Sequence, residues 1–276
     1  MRWDGATLDG DWPREIDGSD VVLNLAGRSV DCRYSAENRR QIMASRVDST
    51  RAVGAAIARA ARPPRVWLQS STATIYAHRY DAANDEATGF FESREPDARP
   101  DWKFSQEVAK AWERTAEEAI TPDTRKVMLR SAMIMSPDRG GIFDVLLRLV
   151  RLGLGGTAGS GRQYVSWIHD RDFVRAIFRL IEDESFTGPV NLAAPGPLPY
   201  TEFMRALRRA WGTRIGLPAT KWMLELGAFF MRTETELVLK SRRVVPGRLL
   251  EAGFEFQFPS WQEAAVDLCR RWRLGA

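Results

Sequence analysis

Residues 65–76 read Arg-Val-Trp-Leu-Gln-Ser-Ser-Thr-Ala-Thr-Ile-Tyr. Val66–Leu68 is a short apolar run, and Pro63-Pro64 before it ends a helical pattern. An apolar run between helical segments reads as a strand buried on both faces of a parallel sheet. The run then changes to Gln69-Ser70-Ser71-Thr72. Hydroxyls at the carboxyl end of a parallel strand lie where open α/β sheets bind ligands. The functional reading is a hydroxyl aimed at a substrate. A Ser/Thr-rich strand-to-loop turn is the competing reading, of equal weight.

Upstream, Met1–Asp20 is polar and turn-rich, and Val21-Val22-Leu23-Asn24-Leu25-Ala26-Gly27 is a second buried-strand pattern. Its closing Ala-Gly lets a ligand approach the backbone, or simply serves a strand–loop junction. Ser35–Ala61 is helical, with Ile42, Val47, Val53 and Ile57 at roughly helical spacing and Arg39, Arg40 and Arg46 between them.

Downstream, 81–101 is acidic and irregular, and Trp102–Ala119 is a strong helix with a Phe104, Val108, Ala111, Trp112 stripe. Val127–Met135 reads as a third buried strand and Ile142–Leu152 as a helix. Gly153–Ala158 matches G-x-G-x-x-G/A by letter but follows a helix, where a dinucleotide fingerprint follows a strand. The glycine-rich 153–161 reads as a mobile loop beside a substrate cleft, at even odds with a linker. Gln163–Ile168 is a strand, and Asp170 reads as the N-cap of a helix to Ile181. Pro189–Leu192 is a short strand. A helix follows at Thr201–Trp211, one or two at Ala219–Ser241, and a last one at Trp261–Arg273.

Of 276 residues 44% are hydrophobic and 28% charged, which is ordinary for a globular enzyme. The net charge is +4, and 35 of the 40 basic residues are arginine, without a dense basic block interleaved with aromatics. Nucleic-acid binding is therefore not expected. Cys32 and Cys269 form no metal or redox spacing, and His78 and His169 cannot complete a zinc site with them. With no signal peptide and no apolar run of about 18 residues, a soluble cytoplasmic protein without a membrane partner is the expectation.

Ser-Ser-Thr-Ala-Thr-Ile-Tyr at 70–76 resembles the active-site strand of nucleotide-sugar epimerases in the extended short-chain dehydrogenase/reductase superfamily. More widely the chain is similar to an epimerase-like branch with a small C-terminal domain of unassigned function. Carrying that resemblance are Asn-Leu-Ala-Gly (24–27), Ser-Arg-Val-Asp-Ser-Thr (45–50), Gly-Leu-Gly-Gly (153–156), Gly-Ser-Gly-Arg-Gln (159–163), Ser-Trp-Ile-His (166–169), Asn-Leu-Ala-Ala-Pro (191–195) and Leu-Leu-Glu-Ala-Gly-Phe (249–254).

The resemblance implies an α/β, Rossmann-like doubly wound parallel sheet over 1–193 and a small, mostly helical subdomain over 194–276. It implies an NAD(P)-dependent epimerase-like oxidoreductase of unknown substrate, with NADP favoured over NAD. Thr72 would hold the reacting oxygen. Asn24, Ala26, Gly27, Gln41, Arg46, Ser70, Ser131 and Met133 would form the cofactor surface, Arg46 reaching the dinucleotide.

Two departures qualify this expectation. The family's opening βαβ unit with its Gly-rich turn is missing before Arg2, which would leave the Val21–Leu25 strand as an open edge for a second copy or a partner to cover. The catalytic Tyr-x-x-x-Lys is also missing, since no Tyr lies between Tyr80 and Tyr164 and Lys103 and Lys110 have no such partner. Both lower the expected activity and keep an alternative open, a non-catalytic dinucleotide-sensing or protein-binding module on the same fold.

Overall fold

The computed structural model describes residues 1–276 apart from 94, 99–101, 219–235 and 276. The chain opens with a short helix α1 (Trp12–Ile16), then β1 (Val21–Asn24), α2 (Ala36–Arg59) and β2 (Val66–Thr72), which runs into a 3-10 turn at Ala73–Ile75. Next come α3 (Lys103–Glu118), β3 (Arg125–Ser131), β4 (Met133–Met135) and α4 (Ile142–Arg151). β5 (Tyr164–Val165), β6 (Trp167–His169), α5 (Asp170–Glu182), β7 (Gly188–Leu192), β8 (Leu198–Pro199) and α6 (Tyr200–Trp211) follow. The last elements are α7 (Glu236–Leu239), α8 (Gly247–Glu251) and α9 (Trp261–Leu274). Of the helix expected over Ala219–Ser241, residues 219–235 lie outside the described residues. Two compact units interleave along the chain: Met1–Ile75, Pro100–Arg130 and Ile177–Val190 form the first, Tyr76–Arg99, Ser131–Ala176 and Asn191–Ala276 the second.

In the first unit the central sheet has the order β1-β2-β3-β7, with β1 and β2 in parallel register from Val21↔Val66 to Asn24↔Gln69. Parallel strands joined through helices place every strand's carboxyl end on one edge of the sheet, the edge where such folds gather ligands. Helix α2 starts because the Ser35 hydroxyl accepts the Asn38 N–H at 3.3 Å, and it stops four residues before Pro63. Its apolar side packs Ala52, Val53, Ala56 and Ile57 with Trp12, Val22, Trp67 and Ala116. At Gly54 a Cβ would meet Ala119 Cβ at 2.8 Å and the Trp67 ring at 3.4 Å. The missing side chain is what lets α2 lie this close to the end of α3 and to β2.

β2 runs through the hydroxyl-bearing residues to Thr72, which stands at its carboxyl end as the sequence suggested, and one strand expectation changes in this unit. β1 is not buried on both faces, because Val22 and Asn24 are buried while Leu23 and Leu25 are exposed. That alternation fits a strand at the rim of the sheet.

In the second unit β4 pairs with β6 in parallel, β5 pairs with β8 antiparallel, and α4, α6 and α9 enclose a core that includes Phe143, Leu147, Trp167, Phe203 and Trp261. Phe203 stacks on Trp261 with ring centroids 4.0 Å apart. The expected single strand 127–135 is two strands. The chain breaks at Ala132, whose N–H donates to the Leu192 carbonyl at 3.0 Å, and Met133–Met135 then takes a new partner in β6. The expected strand 163–168 likewise breaks at Ser166, whose hydroxyl donates to the Arg242 carbonyl (2.6 Å) and accepts the Val244 N–H (2.8 Å). An apolar run shows that residues are buried. It does not show that the hydrogen-bonding partner changes midway. Asp170 is the first residue of α5, and its carboxylate is engaged by the Arg271 guanidinium at 2.7 and 2.8 Å.

Candidate cofactor and substrate site

Within the first unit, the carboxyl ends of β1 and β2 bring several of the expected residues together. Asn24 and Gln69 face one another in register, the Asn24 amide donating to Gln69 Oε1 at 3.0 Å. Asn24 Oδ1 then accepts the Ala26 N–H at 3.0 Å, which turns the chain as β1 ends. Asn24 is buried and its polar atoms are engaged, so it shapes the strand end and leaves the open surface to Ala26 and Gly27.

Arg46 reaches this turn from α2. Its guanidinium donates to the carbonyls of Arg28 and Ile42, both at 3.1 Å, and lies 5.0 Å from the Trp112 ring centroid. A Cβ at Gly27 would sit 3.4 Å from the Arg46 guanidinium carbon. The Arg28 N–H donates to Ser45 Oγ at 3.0 Å, pinning the loop to α2. Burial pulls Arg46 below the ordinary arginine pKa, with Tyr34 opposing. Arginine stays charged in proteins, and among the described residues this partly buried cation meets backbone carbonyls and an indole face but no carboxylate. Buried charges ordinarily have a counter-charge. The cradle therefore fits an anionic group lying against Gly27.

Gln41 does not join this group. It sits on the exposed side of α2, where its amide donates to Glu37 one turn earlier. Ser70 is half-buried on β2, and its hydroxyl has no hydrogen bond among the described residues. Thr72, the last residue of β2, accepts the Thr74 N–H and donates to Thr74 Oγ1, both at 3.1 Å. It caps the 3-10 turn, which is the strand-to-loop reading of this stretch. Ser131 and Met133 belong to the second unit: Ser131 ends β3, and Met133 opens β4 and packs against that unit's core.

On α3, Phe104 enters a cluster with Ile42 and Val108, Lys103 and Lys110 are exposed, and Gln106 donates to the Ile75 carbonyl at 3.1 Å. The same helix carries a feature that the sequence reading passed over. Glu113 is buried against Arg130 of β3, with bidentate contacts of 2.8 and 2.7 Å, and the buried Ser71 hydroxyl donates to Glu113 Oε1 at 2.5 Å. The signal was present, as opposite charges occupy core positions of a helix stripe and of an apolar strand. This brace fixes β2 immediately before Thr72.

A parallel sheet flanked by helices, with a glycine and a guanidinium at one strand's carboxyl end, defines a Rossmann-like α/β protein. The chain belongs to the NAD dependent epimerase/dehydratase family, whose model matches residues 7–193, and a domain of unknown function, DUF1731, matches 219–268. It is 32% identical over 272 residues to the epimerase family protein SDR39U1 of Bos taurus, covering 97% of this chain and 86% of that protein. It is 30% identical over 271 residues to the epimerase family protein SA0724 of Staphylococcus aureus (strain N315), covering 98% and 85%. A crystal structure of human epimerase family protein SDR39U1 (isoform 2) with NADPH superposes with a TM-score of 0.81 at 27% identity, covering 92% of this chain and 82% of that one.

Proposed function

We propose that the chain binds NADP(H), with NAD(H) the weaker ligand, and is an epimerase-like oxidoreductase acting on a small molecule. The observation that carries the reading is Arg46: a partly buried guanidinium with no carboxylate partner among the described residues, set in contact range of Gly27 at the end of β1. A dinucleotide phosphate supplies the missing negative charge through charge-assisted hydrogen bonds. The solved structure of the human relative with NADPH supports the same choice of cofactor. Ala26 and Gly27 form the floor in this reading, and Ser70 offers a hydroxyl that has no hydrogen bond among the described residues. In this reading residues 1–193, which include the 7–193 matched by the epimerase/dehydratase model, serve the cofactor, and 194–276 the substrate side.

The nicotinamide supplies or accepts a hydride when bound. The chain's own contribution is to hold and polarise the substrate oxygen. Thr72 suits that role because the proton it gives to Thr74 Oγ1 can be redirected to a ligand while its oxygen still accepts the Thr74 N–H. With the α3 lysines exposed and no tyrosine on that helix, Thr72 works without the phenolate of ordinary family members, and turnover is slow.

The test is a titration of the protein with NADPH and then NADH, followed by tryptophan fluorescence, for which Trp112 beside Arg46 is a built-in reporter. Saturable binding in the micromolar range is expected. Arg46→Ala raises the NADPH Kd about tenfold, the loss of one charge-assisted contact. Arg46→Lys, which keeps the charge, restores part of it. An unchanged Kd in a folded Arg46→Ala variant overturns the role of Arg46, and no binding by the parent protein overturns the cofactor reading.

A further inference from the structure

Two stretches of the second unit, 145–169 and 203–218, hold seven arginines and not one Asp or Glu. The structure joins their loops. After α4 and after α6 the backbones pair, Leu217 N–H donating to the Gly153 carbonyl at 2.7 Å and Gly156 N–H to the Leu217 carbonyl at 3.2 Å. A Cβ at Gly156 would lie 2.4 Å from that same carbonyl, so only glycine permits this pairing. The Arg208 guanidinium, donating to the Gly155 carbonyl, ties α6 to the first loop.

The joined loops turn aliphatic side chains outward. Leu152 and Ile215 are each 65% exposed, and Leu217 and Leu154 are also exposed. Around them Arg148, Arg151 and Arg214 are exposed. Arginines in the last turns of α4 and α6 complement the helix dipoles, which accounts for part of the pattern. It does not account for Arg214 beyond the end of α6, nor for four aliphatic side chains left in water beside the cations.

We propose that this surface docks on an anionic lipid bilayer, the aliphatic side chains entering the headgroup layer while the arginines meet lipid phosphates. Exposed aliphatic side chains beside exposed arginines, in two stretches without an acid, match the order of a leaflet, acyl chains beneath anionic headgroups; Asp144, one turn before Arg148, is engaged by the Trp272 indole. A symmetric contact with a second copy would set arginine against arginine. Single-stranded nucleic acid is gripped by open aromatic faces, whereas the ring of Trp211 beside these loops is attended by Arg151 at 5.7 Å and Arg273 at 4.3 Å. No described helix is long and apolar enough to cross a membrane, and this surface lies on the bilayer, not through it.

The experiment is co-sedimentation of the full chain with vesicles of phosphatidylcholine alone and of phosphatidylcholine with about 30% phosphatidylglycerol. Binding is expected only with the anionic vesicles. It falls about tenfold both in Leu152→Ser/Ile215→Ser and in Arg148→Gln/Arg214→Gln. All four positions are exposed, and circular dichroism confirms that the variants fold. Absence of binding to anionic vesicles overturns the proposal. Loss with the arginine pair but not the aliphatic pair overturns it in favour of a soluble polyanion. A concentration-dependent dimer abolished by the aliphatic pair overturns it in favour of self-association.

Discussion

At the scale of single residues, the strand end divides its polar groups between holding the fold and offering a contact. Asn24 and Gln69 satisfy each other and the turn, while Arg46 is held by two carbonyls and an indole and keeps donors to spare. Glu113 and Arg130 are at the structural extreme, an ion pair taken out of water with Ser71 as third member. A buried pair gives little net stability, yet removing one partner leaves the other charge uncompensated. Glu113→Leu is therefore expected to cost about 3–5 kcal/mol in urea unfolding. Glu113→Leu/Arg130→Met recovers most of it, because neither charge is then buried. A loss below about 1 kcal/mol in the single variant would mean that the guanidinium finds water and the brace is not structural. Thr72 was legible as a candidate site hydroxyl from the resemblance of its strand. Its second duty as a turn cap was not, because a cap depends on the dihedrals that follow it.

At the scale of elements, the long helices were legible and the strand changes were not. The boundaries of α2 and α3 follow from Ser35, the prolines and a 3.6-residue period, all of which are local. The break at Ala132, the short pairing of β8 with β5 and the helix α1 depend on partners far away in sequence, and no local pattern encodes a partner. The junction of α5 with α9 is of the same kind. His169 is fully buried, stacked on Phe258 at 3.8 Å, with Asp170 Oδ1 2.9 Å from Nδ1 and Asp267 Oδ2 3.2 Å from Nε2, while Arg271 grips Asp170. Burial pushes the Asp170 carboxyl up, but the hydrogen bonds from His169 and Arg271 outweigh it and hold the group well below the usual carboxylate range. Asp267 is lowered in the same way, Arg270 and His169 outweighing burial. A folded-state pKa below the unfolded one, about 3.9, gives stability that is complete above that pH and lost as pH falls through the folded value. Asp170→Asn should accordingly lower Tm at neutral pH, and the gap to the parent should close towards about pH 2. Thermal melts between these limits decide it. A gap that stays constant would show that the carboxylate charge is not what joins the two helices.

At the scale of the whole molecule, the sheet's rim is the place to test for pairing between copies of the protein. Among the described strands β1 lies at one edge of the four-stranded sheet, with Leu23 and Leu25 41% and 55% exposed. The sequence anticipated an open edge at this strand, although its letters alone suggested burial on both faces. The structure supplies the reason the two readings coexist: one face packs Val22 into the core with Ala52, Val53 and Trp67, while the other carries leucines to solvent. An unpaired parallel edge with apolar side chains is a template for a further strand, and charge on the edge is the usual means of blocking one. Leu25 is the better position to test, because it lies just past Asn24 and outside the paired register Val21–Asn24. Leu25→Lys is expected to leave Tm within about 2 °C of the parent, since an exposed residue contributes little to stability. It is also expected to shift the protein towards monomer in light scattering at raised concentration. A parent already monomeric at every concentration, or a variant that associates as the parent does, would show that the rim is closed by something other than a second copy.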